Sequence, residues 1–168
     1  MTKKIEYDFL TWKSFPSSAR LFNDEQEGFA IWILPQARSL PVTPGSTLRV
    51  EANVKQKDVA VGPYPSLIPI DGWNGKEWSR IVTHHIKLGT FDWLFLTFES
   101  KVPSGIITIT PALFGGAGYK EAPAITWFDD LKIYQDDKLI YANDFSNWTP
   151  IIIPAQIITG AAMIKFIK

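Results

Sequence analysis

The chain alternates apolar and polar residues in short runs, and this pattern predicts β-strands. The clearest run covers residues 47–55, in which positions 48, 50, 52 and 54 are apolar and the positions between them are polar. Side chains of a strand point alternately to its two faces, so this run predicts a strand with one buried and one wet face. No window of eleven residues keeps the apolar repeat of a helix without an interrupting proline or glycine.

Similar runs recur along the chain, separated by turn-forming pairs such as Pro44-Gly45 and Asn74-Gly75. The run 91–98 is apolar nearly throughout and predicts a central strand covered on both faces. Short strands at regular spacing are typical of a β-sandwich or barrel. The predicted strands cover residues 5–12, 28–34, 47–55, 66–70, 79–88, 92–100, 105–113, 124–135, 138–142, 151–158 and 161–167.

Composition excludes several classes of partner. A length of 168 residues fits one domain. The 17 basic and 17 acidic side chains leave no net charge, so we expect neither nucleic acid nor an anionic membrane as a partner. The absence of cysteine removes disulfides, thiolate metal sites and a thiol nucleophile. The uncharged stretch 147–164 is interrupted by Pro150, Pro154 and Gly160 and does not predict a membrane span.

The densest aromatic and polar cluster lies at residues 64–78, where Trp73 and Trp78 flank a turn. A tight turn has little core beneath it, so we expect these indoles to be exposed and to stack on sugar rings. The alternative is that Trp78 opens the next strand and packs inside. The polar and aromatic side chains expected to assist carbohydrate binding are Tyr64, Asp71, Asn74 and Glu77.

A glycine-rich loop at residues 114–123 carries Tyr119. It lacks the residue order of a phosphate-binding loop and precedes a predicted strand, so phosphate binding is not indicated. We predict a mobile binding loop that presents Tyr119 to the same carbohydrate. The alternative is a loop that only tolerates substitution.

Two adjacent carboxylates occur within the predicted strand 124–135. Asp129 shares its alternation with Leu131 and Ile133 and is expected to face the core, whereas Asp130 points the other way. A buried carboxylate is unfavourable unless it is hydrogen-bonded, paired or bound to a cation, and Ca²⁺ prefers such oxygen ligands. Pairing with a basic residue, or hydrogen bonding to backbone N–H groups, is the structural alternative.

Catalysis finds little support in the sequence. His84 and His85 are adjacent in a predicted strand and diverge to opposite faces, which prevents joint chelation. No nucleophile motif accompanies them, and no carboxylate pair is singled out. We therefore expect no catalytic residues and no enzymatic activity.

Three segments in order resemble the jelly-roll carbohydrate-binding modules of families 4, 9, 16 and 22, which are attached to polysaccharide hydrolases. The resemblance spans residues 42–135. The matching segments are residues 42–55 with Pro44-Gly45, residues 93–98 followed by Val102-Pro103-Ser104-Gly105, and residues 126–134 with Asp129-Asp130.

The resemblance implies an all-β, jelly-roll β-sandwich of two antiparallel sheets, here expected over residues 1–168. It further implies an extracellular, non-catalytic module that binds a polysaccharide or oligosaccharide and carries a structural calcium. One residue of the Asp129-Asp130 pair would bind that calcium, with Asp8 and Asp144 competing for the remaining positions.

The opening signature of these families matches residues 139–148 better than the N-terminus, so residues 136–168 are expected to form a permuted or exchanged edge segment. The apolar stretch 150–168 suggests an alternative function. It could add to the sheet edge of a neighbouring copy, which would make the protein a self-associating subunit of an extracellular fibre, sheath or capsid.

Overall fold

The computed structural model describes residues 3–24, 28–60, 62–118 and 122–146, which form eleven β-strands. Within those ranges the helical structure is one 3-10 turn at Gln36–Arg38, and no helix there is long and apolar enough to cross a membrane. The strands are β1 (Lys3–Asp8), β2 (Ser18–Asn23), β3 (Ala30–Ile33), β4 (Leu40–Pro41), β5 (Thr47–Val59), β6 (Leu67–Trp73), β7 (Trp78–His85), β8 (Gly89–Lys101), β9 (Thr108–Gly115), β10 (Ala124–Gln135) and β11 (Lys138–Asn143).

The strands form two antiparallel sheets. The six-stranded sheet has the order β1-β2-β10-β5-β8, with β11 paired to β10. The five-stranded sheet has the order β3-β9-β6-β7, with β4 paired to β9. This arrangement confirms the all-β sandwich expected from the sequence, and the segment 138–143 belongs to it as a strand of the first sheet.

The core lies between the sheets and follows the predicted alternation. In β5 the inward positions Leu48, Val50, Ala52 and Val54 are at most 1% exposed. Across the core they face buried residues of the five-stranded sheet, among them Ile68, Ile70, Ile109 and Leu113. The run 47–55 is therefore a strand with one buried face and one solvent-facing face, as predicted, and it continues to residue 59.

The prediction that residues 91–98 form a central strand covered on both faces was wrong. They lie in β8, which ends the six-stranded sheet and pairs with β5 alone among the described strands. Phe98 faces inward and stacks on His84 of β7 at 4.6 Å, whereas Phe95 on the other face is 58% exposed. Residues 91–98 are therefore apolar on both faces of β8. The inward side chains fill the core at the edge of the sandwich, and the outward ones lie at the surface.

The N-terminal region also differs from the prediction. The first strand ends at Asp8, and a second strand, β2, follows at Ser18–Asn23, where none was predicted. Its inward residues Ala19 and Leu21 are fully buried, but one is small and the strand is short, which leaves little apolar signal. The strands predicted at 151–158 and 161–167 lie outside the described residues.

Candidate functional site

The outer face of the five-stranded sheet carries the predicted aromatic cluster. In β6, Ile70 is fully buried and Gly72 is also buried, so strand alternation places Asp71 and Trp73 on the opposite, outer face. This face has no further sheet packed on it. Of the outward side chains of β6, those of Asp71 and Trp73 are partly exposed.

Trp73 and Trp78 are paired directly across the hairpin of β6 and β7. Their ring centroids are 5.4 Å apart and the rings are tilted by 42°. Both are half-buried. Trp78 does open a strand, but on the outer face, because residues directly opposite in an antiparallel pair share a face. The two indoles form a continuous aromatic surface at one end of the sheet.

Polar side chains lie beside this aromatic pair. Arg80 forms an ion pair with Asp71 through Nε and Oδ1, and its Nη2 lies 3.4 Å from Oδ2. Its Nη1 donates to Thr83 Oγ1 at 2.9 Å. The Arg80 side chain remains 45% exposed, so its guanidinium can still reach a ligand. The register also places Thr83 on this face, opposite Pro69.

The turn between the two strands is closed by Asn74. Its Oδ1 accepts hydrogen bonds from the backbone N–H groups of Lys76 and Glu77, each at 2.9 Å. These two hydrogen bonds satisfy the backbone N–H groups of the turn and hold Trp73 opposite Trp78. The side chains of Asn74 and Glu77 are exposed at the rim of the aromatic surface.

A second aromatic group lies at the other end of the same sheet. Phe29 makes edge contacts with Tyr64 at 5.3 Å and with Phe114 at 5.0 Å. Phe114 pairs with Leu67, six residues along β6 from Trp73. Since a strand rises about 3.3 Å per residue, Phe114 and Trp73 are separated by about 20 Å along the sheet. Tyr119 lies outside the described residues.

Small side chains separate the two aromatic ends. Thr110 lies opposite Asp71 and Ala112 lies opposite Ile33, which places both on the outer face. They are 3% and 2% exposed. Thr110 shares a 2.8 Å hydrogen bond with the hydroxyl of Ser39. The middle of the face is therefore covered, and the partly exposed aromatic rings lie at its two ends.

Sequence reasoning did not find Arg80, Phe29, Thr110 or Phe114. The last two lie on β9, which pairs with β6 from about forty residues away in sequence, and such a pairing cannot be read from local pattern. The signal available in the sequence is the alternation of β9. It predicts which side chains of β9 point outward, but not which residues of other strands lie beside them.

Asp129 is fully buried, as the sequence predicted. Its Oδ2 accepts the backbone N–H groups of Lys13 and Ser14, both at 2.8 Å. Its Oδ1 accepts the Ser14 hydroxyl at 3.0 Å and the N–H of Asp130 at 2.8 Å. Burial raises the pKa of Asp129, although these bonds act against it. Hydrogen bonding to backbone groups, the structural alternative to a metal, accounts for its burial.

The face assigned to Asp129 was wrong. It lies opposite Asn53, on the outer face of the six-stranded sheet, whereas Leu131 and Ile133 face the core. The register shifts between residues 129 and 132, and Asp130 has a left-handed φ of 51°. A β-bulge therefore inverts the alternation here, and Asp129 is buried by the connection between β1 and β2 instead of by the core.

Asp8 and Asp144 also engage nearby donors. Asp8 Oδ1 accepts the backbone N–H groups of Leu10 and Thr11, and its Oδ2 accepts Trp127 Nε1 at 2.8 Å. Hydrogen bonds from Ser146 lower the pKa of Asp144.

As folded, these carboxylates are engaged with donors of the protein. Asp130 accepts Asn53 Nδ2 at 3.0 Å, and four donors occupy the lone-pair directions of Asp129. Calcium requires six to eight oxygen ligands, and the described part of the chain gathers no group of three acidic, histidine or cysteine side chains. The structural calcium therefore stays a prediction.

The two histidines are separated as expected. His84 lies opposite the core residue Ile68 and stacks on Phe98 with an interplanar angle of 3°. Burial, followed by the charge of His85, lowers the pKa of His84. His85 is exposed and pairs with Leu67 on the other face. The two imidazoles therefore cannot act on one substrate atom.

Comparison with known proteins shows similarity at the level of the fold. No protein-family model matches the sequence. No curated protein matches it either. Among solved structures, the enzymatically active domain of tailspike protein 4 of bacteriophage CBA120 is 11% identical with a TM-score of 0.57 over 79% of this chain. The match covers 18% of that tailspike chain, so this chain spans about a fifth of its length.

Carbohydrate-binding modules share the fold over most of their length. A family 16 module is 10% identical with a TM-score of 0.56, and the match covers 79% of this chain and 86% of the module. A family 4 module is 14% identical with a TM-score of 0.53, covering 79% and 77%. The resemblance noted in the sequence is therefore confirmed for the fold, which this chain shares with these modules.

Proposed function

We propose that the chain is a non-catalytic module that binds a polysaccharide or oligosaccharide along the outer face of the five-stranded sheet. The observation that carries this proposal is the Trp73–Trp78 pair at one end of that face, beside the exposed Asp71–Arg80 ion pair. The shared fold with carbohydrate-binding modules supports the same conclusion.

The chemistry of the face suits sugar rings. A pyranose presents C–H groups that pack on an aromatic face, and its hydroxyl groups need donors and acceptors at the edge of the ring. Trp73 and Trp78 supply the packing surface. Arg80 and the Asn74 side-chain amide supply donors, while Asp71 and Glu77 supply acceptors. An exposed polar group can exchange water for a hydroxyl with little penalty.

The presence of an aromatic group at each end of the face favours a polymer over a single sugar. About 20 Å separates Trp73 from Phe114 of the second aromatic group, so a chain of sugars can contact both ends. We expect modest affinity, because each stacked ring contributes about 1 kcal/mol while the ligand loses translational freedom on binding. A module of this kind would act outside the cell.

The alternative function, a subunit of a fibre, sheath or capsid that assembles by strand addition, depended on residues 150–168. Those residues lie outside the described part of the chain. No observation on the described strands favours assembly over carbohydrate binding.

Isothermal titration of the full chain against β-glucans, xylans and mannans tests the proposal. We expect binding to at least one of these glycans. Replacing Trp73 with alanine should weaken that binding about tenfold, which corresponds to the loss of about 1.4 kcal/mol. Trp12→Ala is the matched control, because Trp12 is 38% exposed but lies on the other sheet's side of the molecule.

Two results would contradict the proposal. One is the absence of binding to every glycan by the wild-type protein. The other is a loss of affinity in Trp12→Ala that equals or exceeds the loss in Trp73→Ala, which would move the binding surface away from the five-stranded sheet.

A further inference from the structure

The connection between β1 and β2 exposes an unusual amount of apolar surface. We call residues 9–16 the apolar loop. Leu10 is 92% exposed, Phe15 80% and Phe9 60%, and Trp12 adds a further exposed ring in edge contact with Phe15 at 6.0 Å. Contiguous exposed apolar patches on a soluble domain usually mark a surface that another group covers.

The apolar loop is held in place rather than extended freely into solvent. Asp8 binds the N–H groups of Leu10 and Thr11, and Asp129 binds those of Lys13 and Ser14. These bonds fix the backbone at two separate points. The large side chains therefore project from a defined scaffold.

The loop is poorly suited to bind a sugar. The carboxylates of Asp8 and Asp129 and the hydroxyl of Ser14 are engaged with the loop itself, beneath the exposed rings. A second internal bond joins the Ser18 hydroxyl to the Thr11 carbonyl at 2.6 Å. Few polar side chains are left beside the rings to meet hydroxyl groups, so an apolar polypeptide is the better partner.

The described chain ends beside this loop. The Ser17 hydroxyl, one residue after the loop, donates to the Phe145 carbonyl at 2.9 Å. Phe145 is fully buried and its ring makes an edge contact with Trp32 at 5.8 Å, so this end of the chain is fixed to the sandwich. Whatever follows residue 146 starts next to the apolar loop.

The sequence that follows is strongly apolar. Residues 147–168 contain three consecutive isoleucines at 151–153 and a further pair at 157–158, and their charged residues are Lys165 and Lys168. A chain extends by up to about 3.4 Å per residue, so residue 152 can lie anywhere within about 24 Å of Phe145. The apolar loop ends at the residue before Ser17, which is bonded to Phe145, so its exposed side chains lie within reach of residue 152.

We propose that the apolar loop is the docking surface for the chain's own segment 147–168. Covering the exposed side chains of Leu10 and Phe15 with the isoleucines of that segment removes apolar surface from water on both sides. Because the segment is tethered beside the loop, its effective concentration there is high and no second molecule is required.

Disulfide trapping tests this proposal directly, because the chain has no native cysteine. The double variant Leu10→Cys with Ile152→Cys, in the full-length chain, should form an intramolecular disulfide under mild oxidation. The matched control is Leu88→Cys with Ile152→Cys. Leu88 is 38% exposed and precedes β8, the strand at the opposite edge of the sheet from β1. We expect the first disulfide to form at least about tenfold faster.

Each result decides the question. Equal rates for the two variants would overturn the proposal, and so would crosslinks found only in covalent dimers, which would assign the loop to a second copy. As a measurement that needs no cysteine, hydrogen exchange of segment 147–168 should be faster in Leu10→Asp with Phe15→Asp than in the wild-type chain. Unchanged exchange would also overturn the proposal.

Discussion

Two aromatic surfaces lie on opposite sides of the sandwich and differ in where their polar groups point. At the hairpin of β6 and β7, strand pairing and the Asn74 side chain satisfy the backbone, so the polar side chains of Glu77 and Arg80 remain exposed beside the indoles. In the apolar loop the backbone is not paired with a neighbouring strand, and the carboxylates of Asp8 and Asp129 accept its N–H groups instead. Backbone pairing therefore decides which polar side chains are left for a ligand.

The largest expected effect comes from removing the carboxylate beneath the loop. Asp129→Ala leaves the N–H groups of Lys13 and Ser14 without acceptors in a buried place. We expect the free energy of unfolding to fall by about 3 kcal/mol, since each unsatisfied buried group costs about 1–3 kcal/mol and water can replace some of the lost bonds. Urea unfolding followed by tryptophan fluorescence measures this.

Asp92→Ala is the control for that prediction. Asp92 is an exposed carboxylate paired with Lys55, and its removal should leave the free energy of unfolding almost unchanged. A chelator adds a second comparison. If EDTA destabilised the wild-type chain but not Asp129→Ala, Asp129 would bind a metal ion, and the hydrogen-bonded role assigned to it would be wrong.

The sequence predicts the framework well because one physical rule governs it. The alternation of residues 47–55 identifies a strand and its buried face, and both are correct. The same rule fails at Asp129, because the bulge at Asp130 adds a residue and inverts the faces. A bulge depends on a left-handed residue and on the partner strand, and neither is visible in local periodicity.

The two aromatic surfaces were predictable to different degrees. Trp73 and Trp78 could be found because glycine-containing pairs mark their turn. The apolar loop was hidden, because residues 5–12 alternate like a strand although the strand ends at Asp8. Beyond Asp8 the backbone turns out of the strand, and the Asp8 side chain accepts the N–H groups of Leu10 and Thr11.

A smaller effect is expected beneath the hairpin. A Cβ added at Gly72 would lie 2.8 Å from Ile106 Cγ2 and from Ile81 Cδ1, so Gly72→Ala must displace buried side chains under Trp73. We expect a loss of about 1 kcal/mol in the free energy of unfolding. Because Trp73 moves with its strand, glycan affinity should fall as well, while the loop's amide bonds to Asp129 stay protected from hydrogen exchange.

Gly62→Ala is the matched control, since no atom lies within 4 Å of a Cβ built there. It should change neither the free energy of unfolding nor the affinity for glycan. If Gly72→Ala lowered stability yet left glycan binding unchanged, the indole pair would not be part of the binding surface.

The smallest expected effect is the pH dependence of the loop's other anchor. Burial acts to raise the pKa of Asp8, but hydrogen bonds from Trp127, Leu10 and Thr11 outweigh it and the pKa lies below its ordinary value. The folded state therefore holds this proton less tightly than the unfolded state. Its stabilising contribution is complete above about pH 4 and is lost as the pH falls through the lower, folded value.

Asp8→Asn isolates this contribution. The difference in free energy of unfolding between wild type and variant should be constant from neutral pH down to about pH 5 and should shrink below about pH 4. Taking the difference cancels Asp129, whose raised pKa acts with the opposite sign. A difference that instead grew with acidification would mean that Asp8 is protonated more readily when folded. In that case the bonds to Leu10 and Thr11 would not be what fixes the apolar loop.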